Sequence, residues 1–257
     1  MERNNARRLN KVESLQQEPL RIRTDACYII NTSLRFTLTL KDEAIMDDLH
    51  RIINEARKDL ILKNKLREST YRELRKATSL SKQAILLIHQ KRLKEAENSL
   101  GKASKIISRI KEESSTQPSI LFCGLYSAAL QEYSEAKIFM TLIEESKFLT
   151  PSDIDVSSSD YVLGLADVIG EYRRAALDAL REGQAKKSEK YLRIMDQIYI
   201  ELMAMDESYM LVQGLRRKCD VARKIIEITR GDVTQEIRRN ELEKHLTRFE
   251  NKVKSRK

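Results

Sequence analysis

The sequence predicts an all-α protein: a seven-helix bundle with long antiparallel helices. Three observations carry that expectation. The 257 residues include only 7 Gly and 3 Pro, too few turn residues for a β protein of this length. Charged residues reach 34% beside 41% apolar ones, the balance of helices with one buried and one solvated face. Apolar positions also recur at steps of three and four through most of the chain. The organisation read from this is an N-terminal arm over 1–40, a helical domain over 41–250 and a basic tail over 251–257.

Residues 1–18 are polar and read as a frayed tail. The stretch CYIINTSLRFTLTL (27–40) is rich in β-branched residues, and its second half alternates like a strand. A lone strand has nothing to pair with, so an extended arm is the other reading. From Lys41 the helical period takes over. Ile45, Leu49, Ile52, Ala56 and Leu60 form one stripe, and Leu74, Ala77, Leu80, Ala84 and Leu87 continue it, giving a first helix over about 41–90. A second covers about 92–113 and ends in KEESSTQP. A third runs from Ser119, just after Pro118, to about Phe148. The segment TPSDIDVSSSD (150–160) is a linker rich in potential caps. A fourth helix spans about 161–182, stopped by Gly183. A fifth spans about 185–204 and a sixth about 208–229, with Gly231-Asp232 opening a seventh that enters the basic tail. No repeat of fixed period is present, which argues against a solenoid.

The formal net charge is +9, which draws polyanions by counterion release. Cys27, Cys123 and Cys219 are far apart and odd in number, so they make neither a metal spacing nor a disulfide framework. That usage fits a reducing interior, and with no long apolar run the expectation is a soluble, cytoplasmic protein away from the membrane. Cys123 and Cys219 sit in apolar helical contexts and read as core packing.

Two stretches are chemically odd. In LQEYSEA (130–136), Glu132 and Glu135 stand three apart in apolar surroundings; in DYVLGLADVIGEYRR (160–174), Asp167 and Glu171 stand four apart. Each pair shares a helix face. An antiparallel hairpin of the third and fourth helices would gather all four acids. Four carboxylates without a histidine make an all-oxygen site suited to Mg²⁺ or Mn²⁺. Spacing alone leaves a second reading open: solvated acidic faces paired with Arg173, Arg174 or Lys137. His50, His89 and His245 lack a glutamate three residues earlier, so a di-iron Glu-x-x-His pattern is absent, and His89 reads as the end of its helix. No Ser, Cys or His triad is credible.

The first long helix carries ten basic against four acidic residues between 51 and 82. Lys58, Lys65, Arg72 and Lys76 step by seven, seven and four along one stripe; Arg67 and Arg75, with Lys63 and Lys82, add to it. This is a candidate track for a phosphate backbone. The alternative is a solvated face with local pairs such as Glu68–Arg72. Aromatic residues make up 5% of the chain, so base stacking and sequence preference are expected to be weak.

The two acidic stretches, GLYSAALQEYSEA (124–136) and DYVLGLADVIGEYRR (160–174), resemble the translin family, and more closely its translin-associated factor X branch. Weaker similarity runs through LREST…SKQAILLIH (66–89) and LRRKCDVARKIIEITRGDV (215–233), so the resemblance covers about 42–240. It implies a seven-helix fold and octameric shells that enclose RNA or single-stranded DNA. In the factor X branch it implies acids that bind Mg²⁺ and cut RNA. Carried over by motif, Glu132 and Glu135 fall on the acids of the family's LQEYxEA, Asp167 on that of GxAD, and Glu171 on the following GE. The resemblance thus implies Glu132, Glu135 and Asp167 as metal ligands and Glu171 as a ligand or an orienting residue. The linker between the motifs is short where the animal factor X protein carries a long insert. That departure implies a simpler homo-oligomeric member, of archaeal kind.

Overall fold

The computed structural model describes residues 40–113, 124–205 and 209–255. Among them are six α-helices and no strand: α1 (Leu40–His89), α2 (Leu93–Glu113), α3 (Gly124–Glu144), α4 (Ser158–Arg181), α5 (Ala185–Met203) and α6 (Leu215–Lys254), with a short 3₁₀ turn at Ser152–Ile154. The expected strand over 27–40 lies outside the described residues apart from Leu40, which opens α1. No described helix is long and apolar enough to cross a membrane.

The chain divides into two compact units, residues 1–62 and 63–257. In the described part of the first, the predicted stripe is helical but exposed: Ile45, Leu49, Ile52 and Leu60 each show about half or more of their surface to solvent. In the second, the continuation of that stripe is core. Leu74, Ala77 and Ala84 are fully buried, and Leu87 nearly so.

α4 is the hub of the second unit, packed against α3, α5 and α6; α5 also packs on α6, and α2 on α3. Its start is fixed by Ser157, whose Oγ accepts from the Asp160 backbone N–H at 3.0 Å and donates to Asp160 Oδ2 at 2.8 Å, three residues before the expected start. Its stop is at the predicted glycine. Gly183, at φ +73, directs its N–H to Leu180 O (2.9 Å) and the Gln184 N–H to Ala179 O (2.8 Å), so the last carbonyls are satisfied.

Two expectations are corrected. The sixth and seventh helices are one: α6 runs unbroken through Gly231-Asp232. A helical Gly costs only about 1 kcal/mol, and buried Thr229 and Val233 on either side of it hold the segment to the core. α3 and α4 are not an antiparallel hairpin. Ser127 meets Asp160, Gly164 lies against Gln131, Ser134 and Glu135, and Phe139 meets Tyr172 with ring centroids 5.6 Å apart. Both positions advance together, so the helices run parallel. Residues 145–157 permit this: extended, they reach about 40 Å, more than the roughly 30 Å length of α3.

Candidate metal and nucleic-acid site

α3 is buried on most of its circumference, including Tyr133, Ser134, Glu135 and Ala136 in succession. The parallel register with α4 is tight because Gly164 has no side chain. A Cβ there would come within 2.7 Å of Ser134 Cβ, 2.8 Å of Gln131 O and 3.0 Å of Glu135 N. This close approach puts the two acidic motifs face to face.

All four predicted acids come together. Glu135 is the innermost, only 9% exposed, and no hydrogen bond or ion pair reaches its carboxyl group among the described residues. Burial first, and then the charges of Asp167, Glu171 and Glu132, push its pKa up to about 8, with Lys218 opposing them. The other three acids form a more open rim, and each is held by a cation or a ring from another helix. Lys82 Nζ of α1 lies 3.1 Å from Glu132 Oε1. Lys218 of α6 donates to Asp167 Oδ2. His89, at the end of α1, places Nε2 2.6 Å from Glu171 Oε2.

The intrahelical partners considered for these acids are not the ones found. Arg173 instead donates to Thr229 Oγ1 at 2.8 Å and sits 3.8 Å from Asp232. The expectation of a site without histidine is also corrected. His89 does end its helix, but its side chain is 7% exposed, with its ring 5.1 Å from that of Phe139. Sequence reasoning missed both His89 and Lys218. The available signal was Arg75, Lys82 and His89 recurring every seven residues on α1, a period that keeps one helix face.

The donor set fits a hard divalent cation. With Glu135 protonated, three carboxylates remain against Lys82, Lys218 and His89, so a bound proton at Glu135 does the neutralising that a cation could do. As the side chains stand, no group of three or more His, Cys, Asp or Glu among the described residues is disposed to hold a metal ion. Three of the carboxylates are engaged instead, by Lys82, His89 and Lys218.

The predicted basic residues lie on exposed surface. Lys58 lies in the first unit; Lys65, Arg67, Arg72, Arg75 and Lys76 lie in the second. Arg67 donates to Asn64 Oδ1 at 3.2 Å and lies 5.8 Å from the Tyr71 ring centroid. The suggested Glu68–Arg72 pair does not form among the described residues; Glu68 accepts from Asn64 instead. Arg72, Arg75 and Lys76 carry no ion pair among the described residues, so their charge faces solvent uncompensated.

The fold and site define an all-α class in which two acidic motifs face each other on adjacent parallel helices. Within that class, residues 65–227 match the translin family model, and the chain belongs to that family. It is 33% identical over 206 residues to an uncharacterized protein of Methanocaldococcus jannaschii, covering 80% of this chain and 90% of the relative. Among solved structures, the crystal structure of AfC3PO is 37% identical at a TM-score of 0.64, covering 72% of this chain and 96% of that one. A complex of AfC3PO with duplex RNA matches at 36% identity and the same TM-score, covering 72% and 95%. Apo-NeC3PO, at 20% identity and TM-score 0.63, covering 72% and 96%, shares the fold.

Proposed function

We propose that this chain binds RNA, with single-stranded DNA as a second ligand. We further propose that it cuts RNA internally, using Mg²⁺ or Mn²⁺ held by Glu132, Glu135, Asp167 and Glu171. The observation that carries this reading is Glu135, a buried carboxyl with three other acids about it, pushed up to about 8 by its burial first and then by their charges, as at sites built for a counter-charge. A bound divalent cation supplies an acidified water and neutralises charge on the phosphate under attack. The chain's own residues do the rest. Glu132, Glu135 and Asp167 serve as ligands, while His89 fixes Glu171 so that it can orient the attacking water. Were Glu132 and Asp167 to hold the cation, their present partners Lys82 and Lys218 would be available to bind phosphate oxygens. Arg75, one period before Lys82, links this site to the exposed basic face of α1. The duplex RNA in the AfC3PO complex supports an RNA ligand.

Assembly of several copies, as an octamer by family resemblance, belongs to the same proposal. It is supported by exposed apolar side chains that a lone chain leaves wet, among them Ile45, Leu49 and Ile52 in the first unit and Leu242, Leu246 and Phe249 in the second.

A second reading, a translin-like binding protein without cleavage, is favoured by one observation: Glu132, Asp167 and Glu171 already have partners in Lys82, Lys218 and His89. The deciding experiment incubates labelled single-stranded RNA with protein in Mg²⁺ or EDTA, beside Glu132→Ala and Glu135→Ala. Cutting that requires Mg²⁺ and vanishes in both folded variants supports the nuclease. RNA bound yet left intact by wild type and variants alike leaves the binding protein.

A further inference from the structure

A second concavity adjoins the acid site. It lies where the C-terminal ends of α1, α3 and α4 meet the start of α5, and its volume is about 300 Å³. That is the lower end of the range for small-ligand pockets, roughly 300–1,000 Å³. Part of its lining is apolar: Ala175 and Ala179, one turn apart on α4, carry no bulk, Phe139 lies buried beneath them, and the half-buried Tyr191 supplies the aromatic surface. Tyr191 is held by an edge contact with Tyr172 at 5.4 Å between centroids, which pre-orders its ring. Lys187 Nζ sits 5.8 Å from that ring's centroid and has no ion pair among the described residues. Near it, Lys91 pairs with Glu182 at 3.0 Å, and Arg181 with Asp178 at 3.2 Å.

We propose that this cleft is a subsite for one ribonucleotide of the bound strand, beside the phosphate at the acid site. Three features select that chemistry. A planar base finds the Tyr191 ring and the alanine surface, and stacking of this kind tolerates every base. A phosphate finds Lys187. The Asp178 and Glu182 carboxylates can accept from ribose hydroxyls, and the 2′-OH is the group that tells RNA from DNA. His89 lines the cleft while its Nε2 reaches Glu171, so the subsite and the acid site share a wall.

The proposal rests on the reading that a phosphodiester binds at the acid cluster, but its test does not require cutting. Each of the four ribonucleoside 5′-monophosphates is titrated into the full chain in EDTA by calorimetry, beside the 2′-deoxy compounds and inorganic phosphate. Ribonucleotides are expected to bind more tightly than either control. Tyr191→Ala and Ala175→Leu should each weaken them about tenfold or more, with circular dichroism confirming the fold. Lys187→Ala, at an exposed position, should weaken nucleotide and phosphate binding together. Affinity no better than that of inorganic phosphate, or unchanged in both Tyr191→Ala and Ala175→Leu, overturns the subsite. Nucleotide binding that survives in a protein unable to cut RNA supports the subsite and refutes the nuclease; cutting without nucleotide affinity refutes the subsite alone.

Discussion

Replacing Glu135 by Gln should change the pH dependence of stability in a defined direction. The folded carboxyl has its pKa raised from 4.5 to about 8. Below pH 4.5 the folded and unfolded states both hold the proton, and the contribution to stability is fully present. Between 4.5 and about 8 the folded state holds a proton that the unfolded state has released, so stability falls as pH rises. Above about 8 both are ionised and the loss is complete. At about 1.36 kcal/mol per pH unit, this window corresponds to roughly 4–5 kcal/mol. The side chain is 9% exposed, so solvent screens little of it. The groups that face it are Glu132 on α3, Asp167 and Glu171 on α4, and Lys218 on α6. Urea unfolding from pH 5 to 8.5 in EDTA, at fixed protein concentration and ionic strength, should show wild type losing stability steeply and Glu135→Gln losing much less. Adding Mg²⁺ at pH 8 should then raise the wild-type midpoint and leave the variant nearly unmoved. Parallel pH profiles for the two proteins would refute the idea that Glu135 is a strained, counter-ion-seeking carboxyl.

Further outcomes follow from other contacts. Gly164→Ala drives a Cβ into Ser134 and the backbone of Gln131 and Glu135. It should cost about 1–3 kcal/mol by overpacking, read as a lower urea midpoint, and should lower RNA cutting by parting the acidic motifs. His89→Ala empties a site beside Phe139 and strips Glu171 of its hydrogen bond; a loss of about 2–4 kcal/mol is expected in the same assay, and one below about 0.5 would show that the ring packs loosely. Combined Arg72→Ala, Arg75→Ala and Lys76→Ala should weaken single-stranded RNA binding and flatten its log–log salt dependence by about 0.7 per contact removed. An unchanged slope would place the RNA elsewhere.

What the sequence could show about this molecule was local. Acids at i, i+3 and i, i+4 must share a helix face whatever the tertiary fold, so the pairing of Glu132 with Glu135 and of Asp167 with Glu171 was legible. So was the stop at Gly183, because a left-handed residue after a helix is a backbone event. The partners of the acids were not legible. Lys82, His89 and Lys218 come from α1 and α6; the seven-residue recurrence of Arg75, Lys82 and His89 marks one face of α1 but not what that face meets, and no local pattern marks Lys218. The spurious break at Gly231 has a related cause: a glycine marks a helix end only where nothing on either side is anchored, and here Thr229 and Val233 are buried.

The direction of α3 against α4 decides how strong the site is. In the observed parallel register, Ser127 meets Asp160 and Phe139 meets Tyr172, a constant offset along both helices. Glu132 and Glu135 then fall between those contacts on α3, as Asp167 and Glu171 do on α4, so the acids meet in mid-helix rather than at a frayed end. Parallel packing leaves the acids two turns or more from the N-termini of α3 and α4, so neither of those dipoles relieves their charge; the N-terminal turn brought to the cluster is that of α6, which carries Lys218. Relief falls to side chains from other helices, to a proton on Glu135 or to a bound cation. A structural role alone would be met more cheaply by apolar residues at these four positions. Four acids about a glycine-set contact accord with the divalent cation proposed for this site.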